Sequence, residues 1–271
     1  MMPTTITRRS RSEPSATANN TVAAPAAIKQ NASTQDQSAT RITCSTCNMR
    51  ELCLTSGLCP ADLARAETMV HARRRIKRNE VLFNGGETFN SVFAIRTGFF
   101  KSSVIDKEGR EQVTGFNMSG ELLGMEGIGT GQYEATAIAL EDSEVCMMPF
   151  ALIEEMSHEL RPLQRHLHTM LAREIVRDHG VMMLLGSMRA EERLAVFLLN
   201  LSQRFTVRGY SQSEFYLRMT REEIGSYLGL KLETVSRVFS KFQESGLVTV
   251  QQKHIRIIDI PGLRKMAGQN G

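Results

Sequence analysis

From Thr220 onward the sequence spells out two helices meeting at a tight turn. Thr220-Arg221-Glu222-Glu223 is a capping box, in which the threonine hydroxyl and the glutamate carboxylate satisfy the first free amides of a helix. Ile224 and Leu228 give that helix an apolar side, and Gly225 permits close approach of a second helix. Gly229-Leu230-Lys231 forms the turn, and a second helix is predicted from about Leu232 to Glu244, ended by Gly246. Val235, Val238, Phe239 and Phe242 form its inward stripe. Glu233, Ser236, Arg237, Ser240 and Lys241 recur on another face at helical spacing. Arginine pairs with guanine O6 and N7, glutamate accepts from cytosine N4, and serine suits several base edges. Leu247 to Val250 and His254 to Ile258 read as two strands after the second helix. The expectation is a winged helix-turn-helix binding double-stranded DNA. A helical hairpin with a solvated charged face would give a similar pattern. The charge distribution favours DNA, since residues 201–271 carry 11 basic and six acidic groups.

The rest of the 271-residue chain divides by pattern. Residues 1–40 are rich in Thr, Ser, Ala, Asn and Gln and read as a disordered tail. Residues 41–151 combine a cysteine-bearing segment, a short helical run near Pro60 to Val70, and short apolar runs separated by glycine-rich turns. Such evenly spaced strands predict an antiparallel β-barrel or jelly roll. Residues 152–188 have helical periodicity, with Leu160, Leu163, Leu167, Met170, Leu171, Val181, Leu184, Leu185 and Met188 suggesting a dimerisation seam. Residues 189–271 form the DNA-binding unit. The fold class expected is therefore α+β, with a sensor barrel, a long dimerisation helix and the winged helix-turn-helix. No apolar run is long enough to span a bilayer, and the start lacks the apolar core of a secretory signal. We therefore expect a cytoplasmic protein with no membrane partner and with reduced cysteines.

Four of the five cysteines lie in Cys44-x2-Cys47-x5-Cys53 and nearby Cys59, and Cys146 ends the strand-rich region. Reduced thiols grouped in this way suit an iron–sulfur cluster or structural zinc, with a thiol redox switch as a third use. Spacing alone does not separate zinc from iron–sulfur. His166 and His168 on the long helix are expected on solvated faces rather than at a heme. One cysteine group without a flavin or nucleotide fingerprint argues against an electron-transfer protein or oxidoreductase, so an enzyme is not expected.

Several stretches carry a resemblance. Thr220 to Gly225, Leu230 to Arg237, Phe93-Ala94-Ile95-Arg96-Thr97-Gly98, Gln112 to Phe116 and Ala190 to Ala195 resemble the cyclic-AMP receptor protein (CRP) superfamily, most closely its fumarate-and-nitrate-reduction (FNR) branch of oxygen-responsive regulators. The resemblance implies that Glu233, Ser236 and Arg237 read a TTGAT half-site within an inverted repeat. It implies that Cys44, Cys47, Cys53 and Cys146 hold an oxygen-labile 4Fe-4S cluster, with no ligand role for Cys59. It further implies a homodimer whose cluster-free form is disfavoured by Asp178, and a contact between the loop Lys107-Glu108-Gly109-Arg110 and RNA polymerase. Regulators of this fold with zinc or heme in the sensor are the alternatives.

Two departures from the wider pattern matter. Gly120-Glu121-Leu122-Leu123-Gly124 is followed by Met125-Glu126, where cyclic-AMP binders place an arginine for the phosphate. Glu126 would repel that phosphate, so no cyclic nucleotide is expected. Arg110 stands where the resemblance implies an acidic residue, in the loop it implies faces RNA polymerase.

Overall fold

The computed structural model describes residues 43–268, so the tail expected over residues 1–40 lies outside the described residues. Two 3-10 turns, Cys44–Thr46 and Arg50–Leu52, lead into helix α1 (Pro60–Ala66). Strands β1 (Ala72–Ile76), β2 (Val81–Phe83), β3 (Ser91–Thr97), β4 (Phe99–Ile105), β5 (Glu111–Met118) and β6 (Leu122–Leu123) follow. A one-turn helix α2 (Gly127–Thr130) separates these from β7 (Thr136–Ala139) and β8 (Ser143–Pro149). The strands make two four-stranded antiparallel sheets, in the orders β1-β8-β3-β6 and β2-β7-β4-β5. This is the expected jelly-roll type of N-terminal domain. Alternating residues explain the sandwich. Ile76, Phe93, Ile95 and Val145 face Leu82, Phe83, Phe100 and Ala137 across its interior. At the β3–β4 corner Gly98 has φ +104°, and a Cβ there would lie 2.0 Å from the Ser143 hydroxyl. Only glycine fits that corner.

Helix α3 (Phe150–Glu159) and helix α4 (Arg161–Ser187) occupy the stretch expected as one helix over 152–188. The break falls at Leu160, whose backbone is extended at φ −111° and ψ 90°. Pro162 explains it. In a helix interior proline would lose a hydrogen bond and clash with the preceding turn, whereas the first turn of α4 accommodates it. The expected seam is also revised. Leu163 and Leu184 are buried within their own chain, and Leu167 and Met170 are partly buried against the core that holds Leu54, Leu58 and Leu163. The exposed apolar stripe consists of Ile175 (56%), Val176 (69%), Met182 (65%) and Met183 (66%), with Leu185 beside it.

The remaining elements are α5 (Ala190–Val207), β9 (Glu214–Tyr216), α6 (Arg221–Leu228), α7 (Leu232–Glu244), β10 (Val248–Gln251), β11 (His254–Ile257) and α8 (Ile260–Met266). Helices α6 and α7 form the helix-turn-helix, and the wing is a three-stranded sheet ordered β10-β11-β9. A Cβ on Gly225 would lie 2.6 Å from the Leu230 carbonyl oxygen, so the tight turn requires glycine there. Arg193 joins three elements by donating to the carbonyls of Leu185 (2.8 Å), Met188 (2.9 Å) and Leu228 (2.9 Å).

Charged side chains fasten the DNA-binding unit to the roll. Glu121, just before β6, pairs with Arg204 (2.6 Å) and Arg208 (2.6 Å) of α5. Those arginines also donate to the carbonyls of Phe116 (2.7 Å) and Ser119 (2.6 Å). Lys101 of β4 bridges Glu111 (3.0 Å) and the capping-box Glu223 (3.2 Å). Burial pushes the Glu121 carboxyl upward, but Arg204 and Arg208 outweigh it and hold it below the usual carboxylate range. Its stabilisation is therefore complete above the unfolded-state pKa and fades as pH falls through the lower folded-state value. Glu121→Gln leaves two largely desolvated guanidinium groups without their anion, so a loss of about 3 kcal/mol is expected. Denaturant titration should show that loss near neutral pH and a smaller gap in acid. An unchanged midpoint would mean the pair does not hold the two units together.

Candidate functional site

Helix α7 follows its predicted bounds. Val235, Val238, Phe239 and Phe242 are buried, and Glu233, Ser236, Arg237, Ser240 and Lys241 are all exposed on the other face. The capping box that starts α6 is formed. The Glu223 amide donates to Thr220 Oγ1 at 3.1 Å, and the Thr220 amide donates to Glu223 Oε2 at 2.7 Å. Within the exposed face, Arg237 donates to Thr234 Oγ1 at 3.4 Å, leaving most of its donor fork open. Lys241 is engaged at its tip with Glu191 of α5 at 2.9 Å. Such an exposed pair contributes about 0–1 kcal/mol, so a phosphate can displace it.

Arg221 is a residue that the sequence reading passed over. Its guanidinium lies 3.4 Å above the Phe239 ring, and its Nη1 is buried without a hydrogen-bond partner. Burial pulls its pKa down to about 10. The stacking locks α6 onto α7. The sequence carried no local signal for this contact, because it joins the first residue of α6 to the middle of α7.

The cysteine segment is seated by its apolar residues. Leu54 and Leu58 are buried with Val92, Ala94, Met148 and Ile153 of the roll and α3. Backbone bonds shape the turn between them, with Cys53 N donating to Met49 O at 3.0 Å and Ser56 N to Cys53 O at 2.9 Å. Glu67 Oε1 accepts from Cys44 N at 3.0 Å. Cys146 lies on β8, the second strand of its sheet. Cys44, Cys47, Cys53 and Cys146 line one small cavity of about 30 Å³ together with Arg50, Arg73 and Arg96. Cys59 is exposed at the start of α1 and does not line it.

Burial pushes the Cys53 thiol up to about 12 and, aided by Glu67, the Cys44 thiol up to about 11. Burial also raises Cys146, while the Arg73 side chain pulls it the other way. These thiols are neutral and inert unless an electrophilic centre takes their protons' place. Among the described residues no three His, Cys, Asp or Glu side chains converge on a point that would hold a single metal ion. A lone zinc needs each sulfur at about 2.3 Å. The four thiols line the cavity with no carboxylate or imidazole among its lining residues, so any group held there would be held by sulfur alone. His168 is exposed, as expected, but His166 is half-buried against the backbone of Cys53, which corrects its assignment to a solvated face.

A second cavity, about 400 Å³, lies between the roll and α4. Glu126, Glu134, Glu174 and Asp178 line it against a single arginine, Arg177, which pairs with Glu174. Asp178 is exposed beside Ile175 and Val176 and forms no ion pair with Arg177. Desolvation raises the carboxyl pKa of both Glu126 and Glu174. Among the described residues no helix is long and apolar enough to cross a membrane.

Known proteins match this architecture throughout. Residues 192–266 match the Crp-like helix-turn-helix domain, and residues 73–159 match the cyclic nucleotide-binding domain. The transcriptional activator protein Anr of Pseudomonas aeruginosa is 44% identical over 83% of this chain and 92% of its own length. The fumarate and nitrate reduction regulatory protein of Escherichia coli is 39% identical over 84% of this chain and 91% of its own. The structure of FixK2 from Bradyrhizobium japonicum superposes with a TM-score of 0.66 at 28% identity, covering 72% of this chain and 96% of that one. By fold, by its exposed recognition helix and by these relatives, the chain belongs to the CRP/FNR family of DNA-binding transcription regulators.

Proposed function

We propose that this chain is an oxygen-responsive regulator of anaerobic gene expression, a homodimer rather than an enzyme, that binds a TTGAT-type inverted repeat when Cys44, Cys47, Cys53 and Cys146 hold a 4Fe-4S cluster. The observation that carries the reading is the meeting of those four thiols at one cavity, three from the N-terminal segment and one from β8. When bound, the cluster supplies the oxygen-reactive chemistry. The chain's own residues supply the coupling. Three ligands on a short segment and one on the roll would tie the two together, and Leu163, Leu167 and Met170 of α4 share one apolar core with Leu54 and Leu58 of that segment. Movement of the segment therefore reaches the helix that carries the exposed stripe.

In a two-fold dimer the exposed stripe of α4 would pair with its copy, bringing the two Asp178 carboxylates together. Like charges in a partly desolvated seam oppose association, and the cluster-bound state offsets that opposition. The acidic lining of the cavity beside α4 disfavours a cyclic nucleotide phosphate. The β4–β5 loop, where Asp106 pairs with Arg110 at 2.7 Å, is the surface offered to RNA polymerase. The domain limits follow the same scheme, with a tail over 1–40, sensor over 41–151, a dimerisation region over 152–188 in which α4 carries the exposed stripe, and the DNA-binding unit over 189–271. The protein acts in the cytoplasm.

Protein purified without oxygen should be brown and contain iron and acid-labile sulfide. Changing Cys44, Cys47, Cys53 or Cys146 to Ser should abolish both, and Cys59→Ser should abolish neither. Retention of the cluster by one of the four variants, with loss in Cys59→Ser, sinks the ligand set.

Base reading is tested by competition on single-base variants of the palindrome. Arg237→Ala should lose about 1–3 kcal/mol of discrimination at one guanine. Glu233→Ala should relax one further position, and Lys241→Ala should weaken all sequences alike. Unchanged preferences in both Arg237→Ala and Glu233→Ala would exclude α7 as the reading helix.

Asp178→Ala should dimerise and bind DNA in air, where wild type stays monomeric. Sedimentation of the aerobic proteins decides. A monomeric variant, or an already dimeric wild type, removes Asp178 from the switch.

A further inference from the structure

The three strands beneath the cysteine cavity place a single row of side chains across it. Arg73 of β1 stands directly opposite Cys146 of β8, and Ala94 of β3 stands opposite Cys146 on its other side. Directly opposed residues in antiparallel strands point to the same face. The row therefore reads guanidinium, thiol, methyl, and the small Ala94 side chain leaves room above the sheet. Arg73 reaches into that room. It lines the cavity with all four cysteines, and its Nε is buried without a hydrogen-bond partner.

Two other arginines line the same cavity, and both are neutralised. Arg96 pairs with Glu144 at 2.6 Å and Arg50 with Glu51 at 3.2 Å. Among the described residues Arg73 has no carboxylate at ion-pair distance. Arg73 is half-buried with a buried Nε that meets no acceptor, an arrangement that favours an anionic partner. The nearest candidate chemistry is sulfur. Arg73 already acts on the Cys146 thiol and, more weakly, on that of Cys44.

Resting on the cluster reading above, we propose that Arg73 is a positioning residue of the cysteine site, the built-in counter-charge and N–H donor for Cys146 sulfur and the anionic group the four thiolates hold. A centre carried by four thiolates has net negative charge, and hydrogen bonds to its sulfurs govern its properties. Arg73 is not a ligand. It fixes the one ligand that comes from the roll and offsets charge where Arg50 and Arg96 are already spent.

The test uses the full chain, loaded anaerobically with ferrous iron and sulfide, then challenged with a ferrous chelator in the absence of oxygen. Visible absorbance and released iron are followed. Arg73→Gln should still load but release iron about tenfold or more faster, the scale on which partners of metal ligands act. Arg73→Lys keeps the charge and should recover most of the retention. Arg74→Gln removes the same charge from the opposite face of β1 and should behave as wild type. Melting of the metal-free proteins supplies an independent readout. Without its anion Arg73 is a liability, so metal-free Arg73→Gln should melt no lower than metal-free wild type. Equal release from Arg73→Gln and wild type overturns the proposal, as does equal acceleration in Arg74→Gln. A markedly lower melting point of metal-free Arg73→Gln, without rescue of retention by Arg73→Lys, makes the residue merely structural and also overturns it. Wild type that takes up no iron and sulfide takes down the cluster reading itself, and this inference with it.

Discussion

Glu121 sits where the roll meets the DNA-binding unit, and the relation between the two depends on it. It faces two guanidinium groups of α5 and accepts the Met118 amide at 3.2 Å. Arg204 and Arg208 then carry the connection onward to backbone carbonyls of the β5 end. A buried ion network of this kind adds little net stability over apolar packing, but it is intolerant of misplacement. It therefore defines the position of α5, and Arg193 passes that definition on to the end of α4 and to α6. The recognition helix inherits its place from this chain of contacts.

The cysteine site obeys a different logic. Its segment contributes Leu54 and Leu58 to the core, so apolar packing seats the segment against the roll. Burial raises the Cys44, Cys53 and Cys146 thiols, with Cys53 pushed up to about 12. Under the proposed function, binding of the metal–sulfur group would release their protons, and its loss would return them. The apolar seat and the thiols act on opposite sides of the balance. The seat fixes the segment near β8, and the thiols decide how firmly it is drawn in.

Much of this was legible in the sequence. The bounds of α7, its buried stripe and its exposed face follow from helical periodicity and two end signals, because both the cap and Gly246 are local chemistry. The four thiols at one cavity were accessible only through resemblance, since Cys146 is 93 residues from Cys53 and no local pattern joins them. The long helix was misread in two ways. Pro162 was present to signal a break, but the apolar period ran across it. The assignment of Leu163, Leu167 and Leu184 to a seam failed because periodicity gives an apolar face without naming what covers it. The third wing strand, Glu214–Tyr216, was missed because three residues carry no recognisable alternation.

The same limit explains why Arg73 and Arg221 were silent. Each lies in a run of basic or polar residues that reads as surface, Arg73 among Arg74 and Arg75, Arg221 among Glu222 and Glu223. Only strand register places Arg73 opposite Cys146, and only the helix crossing places Arg221 on Phe239. In both cases a donor is buried before a partner for it is present. One stands beside the thiols that would hold the anionic centre, the other beside the helix that would meet phosphate. The cost of burying a donor is met in two ways: the Phe239 ring faces the Arg221 guanidinium and holds α6 to α7, whereas Arg73 faces sulfur, the one place where the proposed anionic group would meet it.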